Sequence, residues 1–416
     1  MKNFFIVRLT SVALMLAFSI AIQAEKIRIK TGIEVLKSKK FAPLHGKRIG
    51  LITNPTGVDN QLRSTVDLLY HAPGVKLVAL FGPEHGVRGN QHAGDKVDDN
   101  RDSVTGLPVY SLYGKNRKAS PEMLKGLDAL VYDIQDIGCR SFTYISTMGL
   151  AMEAAADAGI EFIVLDRPNP LGGEKVEGCL TEDDCMSFVS QFKIPYVYGL
   201  TCGELALLLN GERMLNSKPC QLTVIKMKGW KRSMTYQETG LQWIPSSPHI
   251  PQPVSAACYA ASGILGEFSY MNIGVGYTIP FQMFAAPWIE ADKLAERLNA
   301  LHLPGIHFRP IYAKPFYATM KNEQIQGVQV HFLDFQQASL TDIQFLVAQE
   351  AAALYPDHKV FDVADKSRFR MFDLVCGTKQ IRQLFSRSHR WDEAKAYWHK
   401  DEKAFKQLSK KYYLYK

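Results

Sequence analysis

The chain predicts an α/β protein built on a doubly wound parallel sheet. Three observations carry that reading. Short apolar strands alternate with helical stretches through the first half. The strands are near-continuous apolar runs, as strands covered on both faces must be. Four of them end in polar loops fixed by Gly or Pro, where open α/β sheets hold their ligands. At 416 residues the chain can bury a large core, divided most simply between two domains.

The elements follow in order. Residues 48–53 (R-I-G-L-I-T) read as a strand ending in N-P-T-G, and residues 75–81 (V-K-L-V-A-L-F) as a strand ending in G-P-E-H-G. Residues 129–132 end in D-I-Q-D-I-G, and residues 160–165 (I-E-F-I-V-L) end in D-R-P-N-P-L-G-G. Residues 222–227 make a fifth strand. Residues 64–71 are helical, and Ser120-Pro121 opens another helix with an N-cap and a Pro at the first turn. Residues 148–158 form an Ala-rich helix closed by Gly159. Thr201-Cys202-Gly203-Glu204 is a capping box opening residues 205–209.

The second half reads differently. Residues 240–290 are rich in Pro, Ser and Gly with little periodicity. Residues 325–333 alternate as a strand, 340–354 form a helix, and 360–416 are helical and charged. The boundary falls near residue 250, in W-I-P-S-S-P-H-I-P-Q-P. The division is therefore residues 1–24, 25–250 and 251–416.

Residues 1–24 read as a secretory signal peptide. Lys2 and Arg8 precede an apolar run over residues 12–22, and the small residues Ser19, Ala21 and Ala24 suit a cleavage site. The run is short for a span of about 20 residues. The mature chain is expected to be exported, periplasmic or extracellular, without stable membrane insertion. Export permits disulfides, and Cys179 and Cys185, flanking an acidic loop, are candidates to pair.

Composition narrows the function. Hydrophobic residues make up 46% and charged residues 22%, which excludes a disordered, collagenous or coiled-coil chain. A net charge of +8 without basic runs gives no reason to expect a nucleic-acid partner. Seven Cys are too few for a disulfide scaffold, and no Cys/His cluster has zinc spacing. His85, His92 and Asp95 are a weak metal alternative in an irregular loop. Gly82, Gly86 and Gly89 lack dinucleotide-fingerprint spacing, and neither a Walker A sequence nor G-x-S-x-G occurs. No cofactor and no metal is expected. Cys202 reads as structural, inside its capping box.

Candidate chemistry sits at the strand ends: Asn54, then Glu84 and His85, then Asp133, Gln135 and Asp136, then Asp166, Arg167 and Asn169. Gly82, Pro83 and Gly86 bracket Glu84 and fix its backbone, which makes it the sharpest candidate.

Seven motifs stand in order: G-L-I-T-N-P-T-G-V, L-F-G-P-E-H-G-V-R-G, D-I-Q-D-I-G-C-R-S-F-T-Y-I, L-D-R-P-N-P-L-G-G, G-L-T-C-G-E-L-A, P-F-Q-M-F-A-A-P-W and F-D-L-V-C-G-T. With them the chain resembles the bacterial exo-β-N-acetylmuramidase family from about residue 30 onward. The resemblance implies a glycoside hydrolase that removes N-acetylmuramic acid from the non-reducing ends of peptidoglycan fragments. It also implies a Rossmann-like domain, a smaller α+β C-terminal domain, and an active cleft between them. Glu84 of G-P-E-H-G is then the leading catalytic residue, with Asp133, Asp136 or Tyr144 supplying a second function and Gln135 binding. Two positions depart from the family: Gly274-Val275-Gly276-Tyr277 lacks the acidic and Arg residues of E-G-R-G-T, and His249 replaces the Asn of Ser-Pro-Asn.

Glycosidic cleavage needs an acid for the leaving oxygen and usually a second carboxylate. A 2-acetamido sugar can instead attack its own anomeric carbon. The lactyl carboxylate of muramic acid calls for an Arg; Arg140 and Arg167 lead, with Arg88 third. Two other readings are a non-catalytic wall-binding protein on an enzyme-like fold, and an amidase or esterase acting on wall fragments.

Overall fold

The structure, a computed structural model, describes residues 29–89, 100–114 and 116–416. The signal-peptide reading of residues 1–24 lies outside them. Among the described residues no helix is long and apolar enough to cross a membrane.

The first sheet is made of β1 (Arg48–Thr53), β2 (Lys76–Gly82), β3 (Asn100–Arg101), β4 (Pro108–Ser111), β5 (Ala129–Asp133), β6 (Glu161–Leu165) and β7 (Leu222–Ile225). Its order is β3-β4-β2-β1-β5-β6-β7. The short edge strand β3 pairs antiparallel with β4, and the remaining pairings are parallel. Numbered along the chain, the parallel strands run 3-2-1-4-5-6, the Rossmann order, and the direction of winding reverses between β1 and β5. Alternation along β5 shows why both faces are covered. Ala129 and Val131 enter one core with Ile49, Leu51 and Leu80. Leu130 and Tyr132 enter the other, under the helices Tyr144–Ala158 and Cys202–Gly211.

The second sheet is antiparallel, with β8 (Met283–Ala286), β9 (Ile306–Ala313) and β10 (Ile325–Phe332) in the order β8-β10-β9. It joins the helices Ala291–Asn299 and Asp342–Leu354 and the helices of residues 360–409 in a smaller α+β layer. The segment 240–290 is more regular than its composition suggests. It holds β8 and the helix Val254–Gly266, whose Ala256, Ala257, Ala260, Ala261 and Ile264 are all buried. A helix covered on nearly every side shows no amphipathic period, so a periodicity reading passes over it.

The two layers share a core. Ile137, Cys139, Tyr196 and Val197 of the first half join the cluster that contains Phe284, Phe345 and Trp398. In the other direction, Phe405, Tyr412 and Tyr413 pack against the first sheet. The Tyr415 hydroxyl donates to Asp166 at 2.5 Å, and the Leu414 amide to Glu204 at 2.9 Å. The candidate Cys179–Cys185 bridge does not form: all seven cysteines are free thiols and buried. Cys179 instead points its thiol toward the Cys376 carbonyl.

The departing G-V-G-Y loop has a structural role. Gly276 has φ 92°, and a Cβ there would lie 1.9 Å from the Tyr317 carbonyl oxygen. Tyr277 stacks on Phe316, and Tyr277 and Ile279 pack on the small apolar cluster of Met283, Ile311 and Ile325.

Candidate active site

Glu84 leaves the carboxyl end of β2 on a tight turn. His85 and Gly86 both have φ 73°. A His in the left-handed region is strained, and such strain gathers at functional sites. Glu84 is half-buried, and its Oε2 accepts the Thr143 hydroxyl at 3.0 Å. Tyr113 also bonds to it, and the Tyr113 phenol is pushed up to about 12, first by burial and then by the Glu84 carboxylate. Tyr144 lies within its field as well. One carboxylate is thus held at the sheet's ligand-binding end by hydroxyl donors from β4 and β5 loops.

The other carboxylates named from the sequence are enclosed. Asp133 is 0% exposed. Its oxygens take Arg167 Nε at 2.5 Å, Arg167 Nη2 at 3.0 Å and the Thr65 hydroxyl at 2.5 Å. That ion pair and the Thr65 hydroxyl enclose Asp133 within the protein. Asp136 is buried too, accepting the Gly138 amide at 2.7 Å and the Tyr198 hydroxyl. Burial pushes its carboxyl up to about 6 against those donors, and its Oδ1 has no hydrogen-bond partner. Tyr144 is buried with its hydroxyl donating to the Ser246 carbonyl.

Two proposed sugar contacts turn out to be structural. Asp166 accepts the Arg167 and Gly203 amides and the Thr201 and Tyr415 hydroxyls, leaving no lone pair for a sugar. A Cβ on Gly203 would meet the Asp166 carboxyl carbon at 2.8 Å, which explains the Gly of the capping box. Asn169 donates to the Leu200 carbonyl and accepts the Leu171 amide, shaping its own turn. Asn54 Oδ1 accepts from the amide and hydroxyl of Thr56, and its side chain also interacts with the Tyr144 hydroxyl. His85 is buried beside Glu84.

None of the three nominated arginines is an open cation. Arg140 is 0% exposed. It donates to Ser190 Oγ (3.1 Å) and to the carbonyls of Cys179 (2.8 Å), Ile194 (2.5 Å), Val375 (3.3 Å) and Cys376 (2.6 Å). All five guanidinium N–H groups are engaged, so Arg140 fastens the two layers and cannot read a substrate carboxylate. Gly377 makes room for it: φ is 76°, and a Cβ there would lie 2.5 Å from Arg140 Nη2. Arg88 forks onto Asp102 at 2.9 and 3.0 Å. Arg167, besides its fork on Asp133, lines a narrow crevice at the sheet's reversal point with Thr31, Thr56, Gln135 and Tyr236. Thr31 Oγ1 and Gln135 Oε1 have no protein partner there, and a water bound in the crevice would satisfy them.

Sequence reasoning missed Tyr113, which follows a four-residue strand too short to stand out, and Thr143, although it lies inside a quoted motif. Nearby, the Arg117 guanidinium sits 4.4 Å above the Phe188 ring. His92 and Asp95 lie outside the described residues, and no group of three metal-ligating side chains occurs among the described ones.

Comparison with known proteins bears on this arrangement. Residues 49–254 match the family description "Exo-beta-N-acetylmuramidase NamZ, N-terminal", and residues 257–415 match its C-terminal counterpart. The chain is 43% identical over 392 residues to the peptidoglycan beta-N-acetylmuramidase NamZ of Bacillus subtilis (strain 168), covering 94% of this chain and 92% of that one. A crystal structure of a DUF1343 family protein from Bacteroides fragilis NCTC 9343 superposes with a TM-score of 0.91 at 69% identity, over 94% of this chain and all of that one. A second DUF1343 protein from the same organism gives 0.74 at 29% identity, over 93% of this chain and 99% of that one.

Proposed function

The chain belongs to the exo-beta-N-acetylmuramidase NamZ family, and from that premise we propose that it hydrolyses peptidoglycan fragments with Glu84 as the proton donor. Its substrates are muramyl saccharides, and its product is N-acetylmuramic acid released from non-reducing ends. The observation that carries the role of Glu84 is its setting. Of the nominated carboxylates it is the one at the sheet's ligand end that is not enclosed, and Thr143 and Tyr113 orient it.

The enclosure of Asp133 and Asp136 favours a reaction in which the substrate supplies its own nucleophile. Glu84 gives its proton to the glycosidic oxygen as the C1–O bond breaks. The 2-acetamido oxygen bonds to C1, forming an oxazolinium. Water then adds at C1 and reopens the ring, and the Glu84 carboxylate takes the proton that water loses. Lys2, Arg8 and the apolar run that follows support an exported enzyme, as a substrate outside the cytoplasm requires.

Mass spectrometry of digests tests the activity. MurNAc-GlcNAc should yield free MurNAc, and GlcNAc-MurNAc should stay intact; the reverse pattern overturns the exo-muramidase reading. Replacing the acetyl group by trifluoroacetyl should slow cleavage by orders of magnitude. An unchanged rate would rule out the internal nucleophile.

A further inference from the structure

Deepening the proposed muramidase function and resting on it, we infer that Arg117 is the residue that recognises the lactyl carboxylate of muramic acid. The substrate carries a carboxylate that its GlcNAc counterpart lacks, so selectivity calls for a cation near Glu84. Arg140, Arg167 and Arg88 are engaged elsewhere. Neighbouring Lys118 is paired with Glu153 and Asp157. Arg117 differs: it is exposed, and among the described residues no carboxylate pairs with it.

Two routes tie Arg117 to Glu84. In the first, its guanidinium lies 4.4 Å over Phe188, whose ring centroid is 6.4 Å from that of Tyr113. Tyr113 bonds to Glu84 and feels the charge of Arg117 as well. In the second, the Phe188 carbonyl accepts the Ser146 hydroxyl at 2.7 Å. Ser146 lies one turn beyond Thr143, which holds Glu84. Residues three apart on a helix are neighbours, about 5–6 Å between Cβ atoms.

The cation–π contact prepares the guanidinium for this task. Phe188 is 9% exposed and therefore a fixed plate. A guanidinium held over an aromatic face by a cation–π contact needs none of its N–H groups for that contact and keeps them for the fork that matches a carboxylate. Lysine would neither stack nor fork in this way.

The test compares 4-nitrophenyl β-MurNAc with its lactyl methyl ester, using the whole protein and its Arg117→Ala and Arg117→Lys variants. Arg117→Ala should lower kcat/KM on the free acid by about 10–100-fold, the range for a charge-assisted hydrogen bond. It should leave the ester within about twofold, and Arg117→Lys should restore only part of the loss. Equal losses on acid and ester, or no loss on either, overturn the assignment. If the unaltered protein cleaves neither glycoside, the muramidase function itself falls, and calorimetric titration with free MurNAc and GlcNAc decides Arg117 separately. Tighter MurNAc binding that Arg117→Ala abolishes supports it; equal binding of the two sugars overturns it.

Discussion

The Thr143 hydroxyl donates to Glu84 Oε2 at 3.0 Å instead of capping its own helix. Thr143 is the N-cap of Tyr144–Ala158, and Thr at that position ordinarily uses its oxygen to accept an amide of the first turn. Here the helix goes without that cap, and the hydroxyl aims a carboxylate arriving from another strand.

Glu84→Gln should fold normally and bind substrate while losing roughly 10²–10⁴-fold in kcat on a sugar leaving group. On an activated phenol, which needs little protonation to depart, the loss should be much smaller. Steady-state kinetics on both substrates decide it, because a group that merely shapes the loop would affect them alike.

Thr143→Val tests the aiming contact. Glu84 carries its proton when the C1–O bond breaks, and a neutral hydrogen bond contributes about 0.5–1.5 kcal/mol, so kcat/KM should fall roughly 2–10-fold with KM nearly unchanged. In the Glu84→Gln background the same substitution should cost little, since residues acting as one unit are not additive. Full additivity in that cycle would separate the two residues.

Arg140→Ala should damage the fold and not selectivity. It would strand buried carbonyls on both layers, and each buried acceptor left unpaired typically costs about 1–3 kcal/mol. The expected readout is a lowered urea midpoint, with any surviving activity showing an unaltered KM for muramyl substrates. A KM rise with normal stability would return Arg140 to the substrate.

Stability should decline as pH rises from about 4 to about 6. Burial raises the Asp136 and Asp166 carboxyls from 3.8 to about 6. Between those values the folded chain holds protons that the unfolded chain has released, so the slope of stability against pH is negative. Each group contributes roughly 3 kcal/mol across the window. Asp59 and Asp102 act oppositely. Donors from Lys37 and Arg63 outweigh burial at Asp59, and the fork from Arg88 dominates at Asp102, lowering both to about 2. Their contribution is lost as pH falls below 3.8. Denaturant titrations of the whole chain and of Asp136→Asn at pH 4, 5, 6 and 7 check this: the variant's slope should be shallower, and an identical slope would refute the assignment.

The sequence revealed the sheet because its strands carry unbroken apolar runs, and it located Glu84 because Gly and Pro fix that loop. It misjudged the arginines for a physical reason. Arg140 finds its acceptors at residues 179, 190, 194, 375 and 376, and Arg167 finds Asp133 on a neighbouring strand. An arginine after a strand end looks the same in one dimension whether a ligand or the protein's own carbonyls await it. The helix Val254–Gly266 was hidden by its burial on nearly all sides, and Tyr113 by the shortness of β4.

Arg140 and Gly377 also constrain how the gene can recombine. The guanidinium takes three acceptors from residues 179–194 and two from residues 375 and 376, and the missing Cβ of Gly377 admits it. A crossover near residue 250 between two relatives would draw the two sides of this joint from different parents. Offspring inherit a closed joint only when the first parent carries the arginine and the second the glycine, so exchange at that boundary works between relatives that hold both residues.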